Sequence, residues 1–299
     1  MARPAPASTR AAHIISFLTA HPSRGFTISE LVTHLDMNIA SAHATLAVLC
    51  DCGFLVRDPV HRTYILGPAL AVTGFAATQQ HPSIVAAIEQ ADALAAELDM
   101  EVGVSAVAGT DVILLARRGP EPPHPTIGYP GDRAPLMAPL GAIFVAWAED
   151  KEVDAWLERG AATDQLAHFY REMLAQMRGS GFSVPMEPIA AASVVAAFTR
   201  LRNTPTDEDA EHGLADALQR TSEILISISD LPPAEEISFR TVAAPIFDPI
   251  GRVLLAMSIS GPDHPVRVDR VRELGRRLTQ ATAIATHRTH GRPPARLGH

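Results

Sequence analysis

Near the start of the chain, apolar residues recur at helical spacing over three short stretches and then switch to alternation. In Arg10-Ala-Ala-His-Ile-Ile-Ser-Phe-Leu-Thr-Ala, the residues Ile14, Ile15, Phe17 and Leu18 form one stripe that ends before Pro22, which predicts a first helix. Thr27 and Glu30 have the spacing of a capping box, in which each side chain satisfies a backbone N–H left open at a helix start; a second helix follows to Leu35. After a turn at Asp36 and Met37, Asn38 caps a third helix that runs to Cys52, with Ala42, Leu46 and Leu49 as its buried seam and Gly53 as its stop. Phe54 to Gly67 then alternates as two short strands around a turn at Asp58-Pro59. Three helices and a hairpin in this order make a winged helix-turn-helix.

The remainder mixes both periodicities. A linker helix is expected from Pro68, broken at Gln79-Gln-His-Pro82, and an Ala-rich amphipathic helix from Ile84 to Leu98. Glu101 to Val107 and Val112 to Arg117 predict a hairpin about Gly109-Thr-Asp. Helices are expected at Pro139 to Ala148, Glu152 to Arg159, Leu166 to Met177, 188–203 and 208–228, with a short strand at Phe182-Ser-Val. Two strands follow, Arg240 to Pro245 and Val253 to Ser260, joined by Asp248-Pro-Ile-Gly251, and a last helix spans Arg267 to Thr286. The fold class is therefore α+β: an N-terminal winged helix-turn-helix, then helices flanking an antiparallel sheet in a ligand-sensor domain. The division reads as a disordered lead-in (1–9), a winged helix-turn-helix (10–67), a linker helix (68–82), an effector-binding and oligomerisation domain (83–286) and a disordered tail (287–299).

Composition changes this picture little. With 47% hydrophobic and 19% charged residues the chain is of ordinary globular type. Its longest apolar runs fall short of a membrane span, and the N-terminus lacks a secretory pattern, so a cytoplasmic protein with no membrane partner is expected. Residues 1–75 carry five Arg against four acids, a balance of +1, whereas the whole chain stands at −8. A head that meets DNA beside an acidic partner domain has this asymmetry, though +1 is a faint electrostatic footprint. Cys50 and Cys52, two apart on one helix, point to different faces and are expected to be buried spectators.

Catalytic and metal chemistry find no support in the spacing. The thirteen histidines include no His-x-x-x-His pair with a carboxylate third ligand on a helix. There is no Gly-x-Ser-x-Gly elbow and no Walker-type loop, so no cofactor, metal or enzymatic activity is expected. The cluster Glu97, Asp99 and Glu101 reads as a solvated helix end, and Arg117-Arg118 as a pair that meets an acidic ligand, a partner subunit or surface carboxylates.

Three stretches resemble the IclR family of bacterial regulators: Cys52-Gly-Phe-Leu-Val-Arg-Asp-Pro with Thr63-Tyr-Ile-Leu-Gly-Pro-Ala-Leu; Gly131-Asp-Arg-Ala-Pro-Leu-Met-Ala-Pro-Leu-Gly-Ala-Ile-Phe; and, most specifically, Val242-Ala-Ala-Pro-Ile-Phe-Asp-Pro-Ile-Gly-Arg-Val-Leu-Leu-Ala-Met-Ser-Ile-Ser-Gly-Pro. The resemblance implies a GAF-like α/β effector domain, a homodimer or dimer of dimers, and a double-stranded DNA operator as partner. It also marks 187–238 as an insertion relative to shorter members. The function it implies is sequence-specific transcriptional regulation controlled by a small-molecule effector, an organic acid among the candidates. The alternative is a ligand-sensing or interaction module whose DNA binding is weak or lost.

On the head, the expected DNA contacts are Thr27, Asn38, Ser41, His43 and Thr45, with Arg57 and Arg62 of the wing on phosphates. The family's third helix usually carries Arg where this chain has Ala44, and no Lys or Arg lies between Arg24 and Arg57. For the effector, the resemblance implies Thr241 (where the family has Cys), Ser258 and Ser260, together with Ala138, Leu140 and Gly141 at a helix start. The residues agree: 258 and 260 share one side of a strand, and buried hydroxyls on an otherwise apolar strand need partners. Bonds from these hydroxyls to nearby backbone are the plain structural alternative.

Overall fold

The computed structural model describes residues 5–121, 129–184, 192–222 and 231–294. Its contacts fall into two compact units, Met1–His81 with Thr199–Glu211, and Pro82–Phe198 with His212–His299.

The smaller unit contains α1 (Pro6–Ala20), β1 (Phe26–Thr27), α2 (Ile28–His34), α3 (Ile39–Asp51), β2 (Leu55–Arg57), β3 (Thr63–Leu66) and α4 (Pro68–Gln80). Helix α1 starts at Pro6, earlier than the expected lead-in allows. A proline at the first helical position costs nothing there, since its missing N–H would have had no partner. Ile14, Phe17, Leu18, Leu31, Leu46 and Leu49 close the three-helix core, with Phe26, Leu55 and Tyr64 from the sheet. Both halves of the capping box form: Thr27 Oγ1 accepts from the Glu30 N–H, and the Glu30 carboxylate accepts from the Thr27 N–H at 2.7 Å. These contacts hold the Glu30 carboxyl below its ordinary value, the Thr27 backbone N–H contributing most.

The three strands pair in the order β1-β3-β2. The hairpin is locked to the end of α3 at two glycines. A Cβ on Gly67 would lie 2.3 Å from the Gly53 carbonyl oxygen, so only glycine allows that approach. The cysteines differ from expectation: Cys50 is half-buried and Cys52, the C-cap of α3, is exposed.

Part of the expected insertion belongs to this unit. Asn203 ends α9 (Ala192–Asn203), and its carbonyl oxygen lies 2.8 Å from His34 Nδ1, while its Oδ1 lies 3.2 Å from His21 Nε2. Both imidazoles pack tilted against Phe17 and edge-on against Phe26, so this segment supplies polar acceptors at the rim of an aromatic cluster. Sequence spacing had placed this segment wholly in the larger domain.

The larger unit is built on a five-stranded antiparallel sheet of order β6-β5-β4-β9-β8. Its strands are β4 (Val102–Ala108), β5 (Asp111–Arg118), β6 (Arg133–Pro135), β8 (Thr241–Phe247) and β9 (Val253–Ser260); β7 (Glu236–Ile237) pairs separately with β10 (Val266–Arg267). One face, through Val102, Val104, Leu255, Met257 and Ile259, packs on α5 (Pro82–Leu98) and α11 (Val268–Arg288). The other face meets α6 (Ala142–Val145), where Ile143 and Phe144 cover Ala256. Behind α6, α7 (Asp150–Arg159) and α8 (Asp164–Ser180) enclose Trp156, Tyr170 and Leu174; α10 (Glu208–Ser222) completes the helices.

Two elements depart from expectation. The helix predicted over Pro139 to Ala148 shrinks to a single turn because Gly141 takes a left-handed φ of 70°, which breaks the helical path before Ala142. The expected Phe182 strand is an isolated bridge from Ser183 to Ala243. Nor is the tail loose over its described part: α11 continues to Arg288, which pairs with Glu89 at 2.6 Å, and the Arg292 N–H donates to the Asp248 carbonyl. The expectation for 295–299, and the ends of the predicted helices at 188–191 and 223–228, lie outside the described residues.

Candidate nucleic-acid interface and effector face

Helix α3 presents an outer face opposite its Ala42–Leu46–Leu49 seam. Ile39 and Val48 are 52% and 60% exposed, and Ala40, His43, Ala44 and Ala47 are exposed between them. Of the polar residues expected to read bases, three have work inside the head. Asn38 Oδ1 accepts from the Ala40 N–H at 2.9 Å as the helix cap. Thr45 Oγ1 donates to the Ser41 carbonyl at 2.9 Å. Thr27 has its hydroxyl engaged with Glu30 on both sides, at the start of α2. Ser41 is half-buried, and His43 is an exposed polar side chain on this face.

The wing is held by one carboxylate. Asp58 Oδ1 accepts from the Val60 and His61 N–H groups at 2.7 and 2.9 Å. The His61 backbone N–H, then its ring and Val60, keep the Asp58 carboxyl below its ordinary value. Because both Glu30 and Asp58 are depressed, their contribution is complete at neutral pH and is lost only on acidification through those lowered values. Arg62 occupies the turn with a left-handed φ of 57°, and Arg57 sits 5.8 Å from the Tyr64 ring centroid, so both guanidinium groups are carried by the hairpin.

In the larger unit, sheet register brings the predicted hydroxyls together. Thr241 lies opposite Ser260, and Ser258 lies between Ala243 and Gly103. Ser258 and Ser260 share the face of Ala256, the side covered by α6. The same row holds a buried ion pair, whose carboxylate Glu101 the sequence places on a solvated helix end. Glu101 is only 7% exposed; its carboxylate accepts from Ser260 Oγ at 2.6 Å and from Arg117 Nε at 2.5 Å. Arg117 in turn lies 5.5 Å from the Tyr129 ring centroid. The available signal was alternation: Glu101 stands two residues before Gly103, on the side that Ser258 faces.

Ala138, Leu140 and Gly141 have other partners. The Ala138 N–H donates to the Trp156 carbonyl at 3.1 Å, Trp156 Nε1 donates to the Leu140 carbonyl at 2.7 Å, and the Gly141 carbonyl accepts from Phe144. They set the position of α6 rather than joining the hydroxyl row. A cavity of about 300 Å³ opens at the other end of this sheet face, lined by Leu136, Phe144, Trp147 and Val253 with Arg159 and Arg252; none of the six predicted effector residues lines it. Among the described residues no three His, Cys, Asp or Glu side chains converge as a metal site.

Comparison with known proteins falls on both units. Residues 7–59 match the model of the IclR helix-turn-helix domain. The whole chain is similar in fold to an IclR transcriptional regulator from Alicyclobacillus acidocaldarius (20% identity, 97% of this chain and 100% of that one, TM-score 0.69). It is similarly close to one described as a putative IclR regulator from Silicibacter sp. TM1040 (18%, 98% and 100%, 0.66). An IclR homologue from Microbacterium hydrocarbonoxydans, crystallised with 4-hydroxybenzoate, shares the fold at 14% identity over 94% of this chain and 98% of that one, with a TM-score of 0.61. No curated protein sequence matches the chain.

Proposed function

We propose that this chain, whose head matches the IclR helix-turn-helix domain and whose fold is that of IclR regulators, binds a pseudo-palindromic operator as one half of a symmetric dimer while a small organic acid on the sheet face sets its affinity. The observation that carries the proposal is the pairing of an exposed α3 face with two wing arginines on one hydrophobic core. That is the layout in which a helix enters the major groove and a hairpin holds phosphates. The site of this reading is the cytoplasm, where operator DNA lies; no described helix is long and apolar enough to cross a membrane.

A dimer is supported by α4. None of its residues is buried, and Val72 and Phe75 are 69% and 67% exposed on a helix with no charged residue. Such a face calls for a cover, and a second copy supplies one while giving the two-fold symmetry a palindrome requires. Replacing Phe75 with Asp is expected to shift the protein from dimer to monomer by light scattering and to weaken operator binding; a variant that stays dimeric speaks against α4 as the interface.

For the effector, the row offers the hydroxyls of Thr241 and Ser258, while Ser260 and the buried Arg117 guanidinium are engaged by Glu101. The 4-hydroxybenzoate bound to the Microbacterium relative supports a carboxylic acid as the ligand class. An acid that binds at a hundred times its Kd raises folding stability by about 2.7 kcal/mol, so a thermal-shift screen of organic acids finds it. Removing one hydroxyl partner, Ser258→Ala, is expected to weaken that ligand about three- to tenfold, the worth of one hydrogen bond. Arg252→Ala, in the separate cavity, should leave it unchanged; the reverse ranking moves the effector to the cavity. Mobility shift with and without the acid tests the whole proposal, because an effector must bind the two arrangements unequally to change DNA affinity.

A further inference from the structure

The reading surface of α3 is unusual in what it lacks. From Arg24 to Arg57 the chain has no Lys or Arg, so the commonest guanine contact, a cation on O6 and N7, has no source on this helix. The bidentate adenine contact needs an Asn or Gln amide, yet the Asn38 carbonyl is bound to Ala40 and Ser41 at the cap. What the helix presents is Ile39, Ala40, Ala44, Ala47 and Val48, with His43 among them.

Resting on the operator-binding reading above, we propose that this head selects its operator by apolar contact with thymine 5-methyl groups. In the major groove the thymine methyl is the apolar feature of the base edges, and alanine-sized side chains are suited to touch it. Ile39 and Ala40 stand on the first turn of α3, the end that enters the groove in helix-turn-helix docking, and Ala44 lies one turn further on the same side. The wing arginines supply charge to the backbone, which leaves the helix free to be apolar. Exposed apolar surface on a helix gains by being covered, and the methyl-lined groove is the cover that fits beside a phosphate-seeking wing. Ile39 and Ala44 are thus specificity-determining residues, and thymine at fixed positions in each half-site is the feature they select.

The test uses the full chain and a pool of random-sequence duplexes. Retained duplexes are expected to share thymines at fixed positions. Resynthesis with deoxyuridine there, which deletes only the methyl, should weaken binding about fourfold for each methyl buried. Replacing guanines with 7-deazaguanine should have no comparable effect. Ile39→Ser, a change at a half-exposed position that leaves the core intact, should abolish the deoxyuridine effect at one position per half-site while the melting temperature holds. Retained sequences that are insensitive to deoxyuridine but weakened by 7-deazaguanine overturn methyl readout and leave the regulatory reading standing. If no sequence is enriched even at low salt, the operator-binding reading itself fails, and methyl readout with it. Should Ile39→Ser change the oligomeric state and leave deoxyuridine sensitivity intact, the face is a protein interface and methyl readout is wrong.

Discussion

Glu101→Ala is expected to destabilise the larger unit by about 3–5 kcal/mol, the usual cost of removing one partner of a buried ion pair. Glu101 takes a hydrogen bond from Ser260 and two from Arg117, whose side chain is itself largely buried. Without the carboxylate, a guanidinium stays in the interior with its charge uncompensated, and a serine hydroxyl loses its acceptor. Chemical denaturation should show this as a lower midpoint at an unchanged slope. Replacing both charges with apolar residues of similar size, Glu101→Leu with Arg117→Met, should recover most of the loss, because the desolvation penalty is removed along with the attraction. A loss below about 1 kcal/mol for Glu101→Ala is the value of a surface pair, and would mean that the sheet face is open to water and no place for a ligand's polar group.

The second large effect is at Trp156. Its side chain is fully buried, packs edge-on against Tyr170 at 5.7 Å between ring centroids, and donates from Nε1 to the Leu140 carbonyl. Its own carbonyl accepts from Ala138. One residue therefore fixes both ends of the turn that positions α6 over Ala256. Trp156→Ala should cost about 3–5 kcal/mol, as large-to-small core changes do. Trp156→Phe, which keeps most of the ring and drops the donor, should cost about 1–3 kcal/mol through the unsatisfied Leu140 carbonyl. If α6 shapes the effector face as described, the Phe variant also loses acid binding out of proportion to its stability; a variant that binds acid normally shows that the turn serves packing alone.

What the chain disclosed in advance was local. The capping box of Thr27 and Glu30, the Asn38 cap and the Ala42–Leu46–Leu49 seam depend on residues within a few positions of one another, and each is formed. The strand pair carrying Ser258 and Ser260 was legible because alternation and turn residues act over the same short range. Glu101 was misread because its neighbours Glu97 and Asp99 suggested a solvated helix end, while its real partners come from β5 and β9 and appear only once strand register is fixed. Gly141 reads in sequence as an effector contact at a helix start, and not as the break in the helix, since a left-handed φ has no signature beyond glycine itself. Asn203 is the extreme case: its partners His21 and His34 are 182 and 169 residues away. Thr45 turns its hydroxyl to the Ser41 carbonyl four residues back, a bond the helical spacing makes available and the rotamer decides.

The most direct test of the account is an equilibrium titration of the full chain against the duplex immediately upstream of its own gene and against a scrambled duplex of equal composition, across a series of salt concentrations. A preference of about a thousandfold or more for the upstream duplex is expected, with affinity falling as salt rises because wing arginines displace counterions. Equal affinity for the two duplexes at every salt concentration, or no binding to either at low salt, would contradict it.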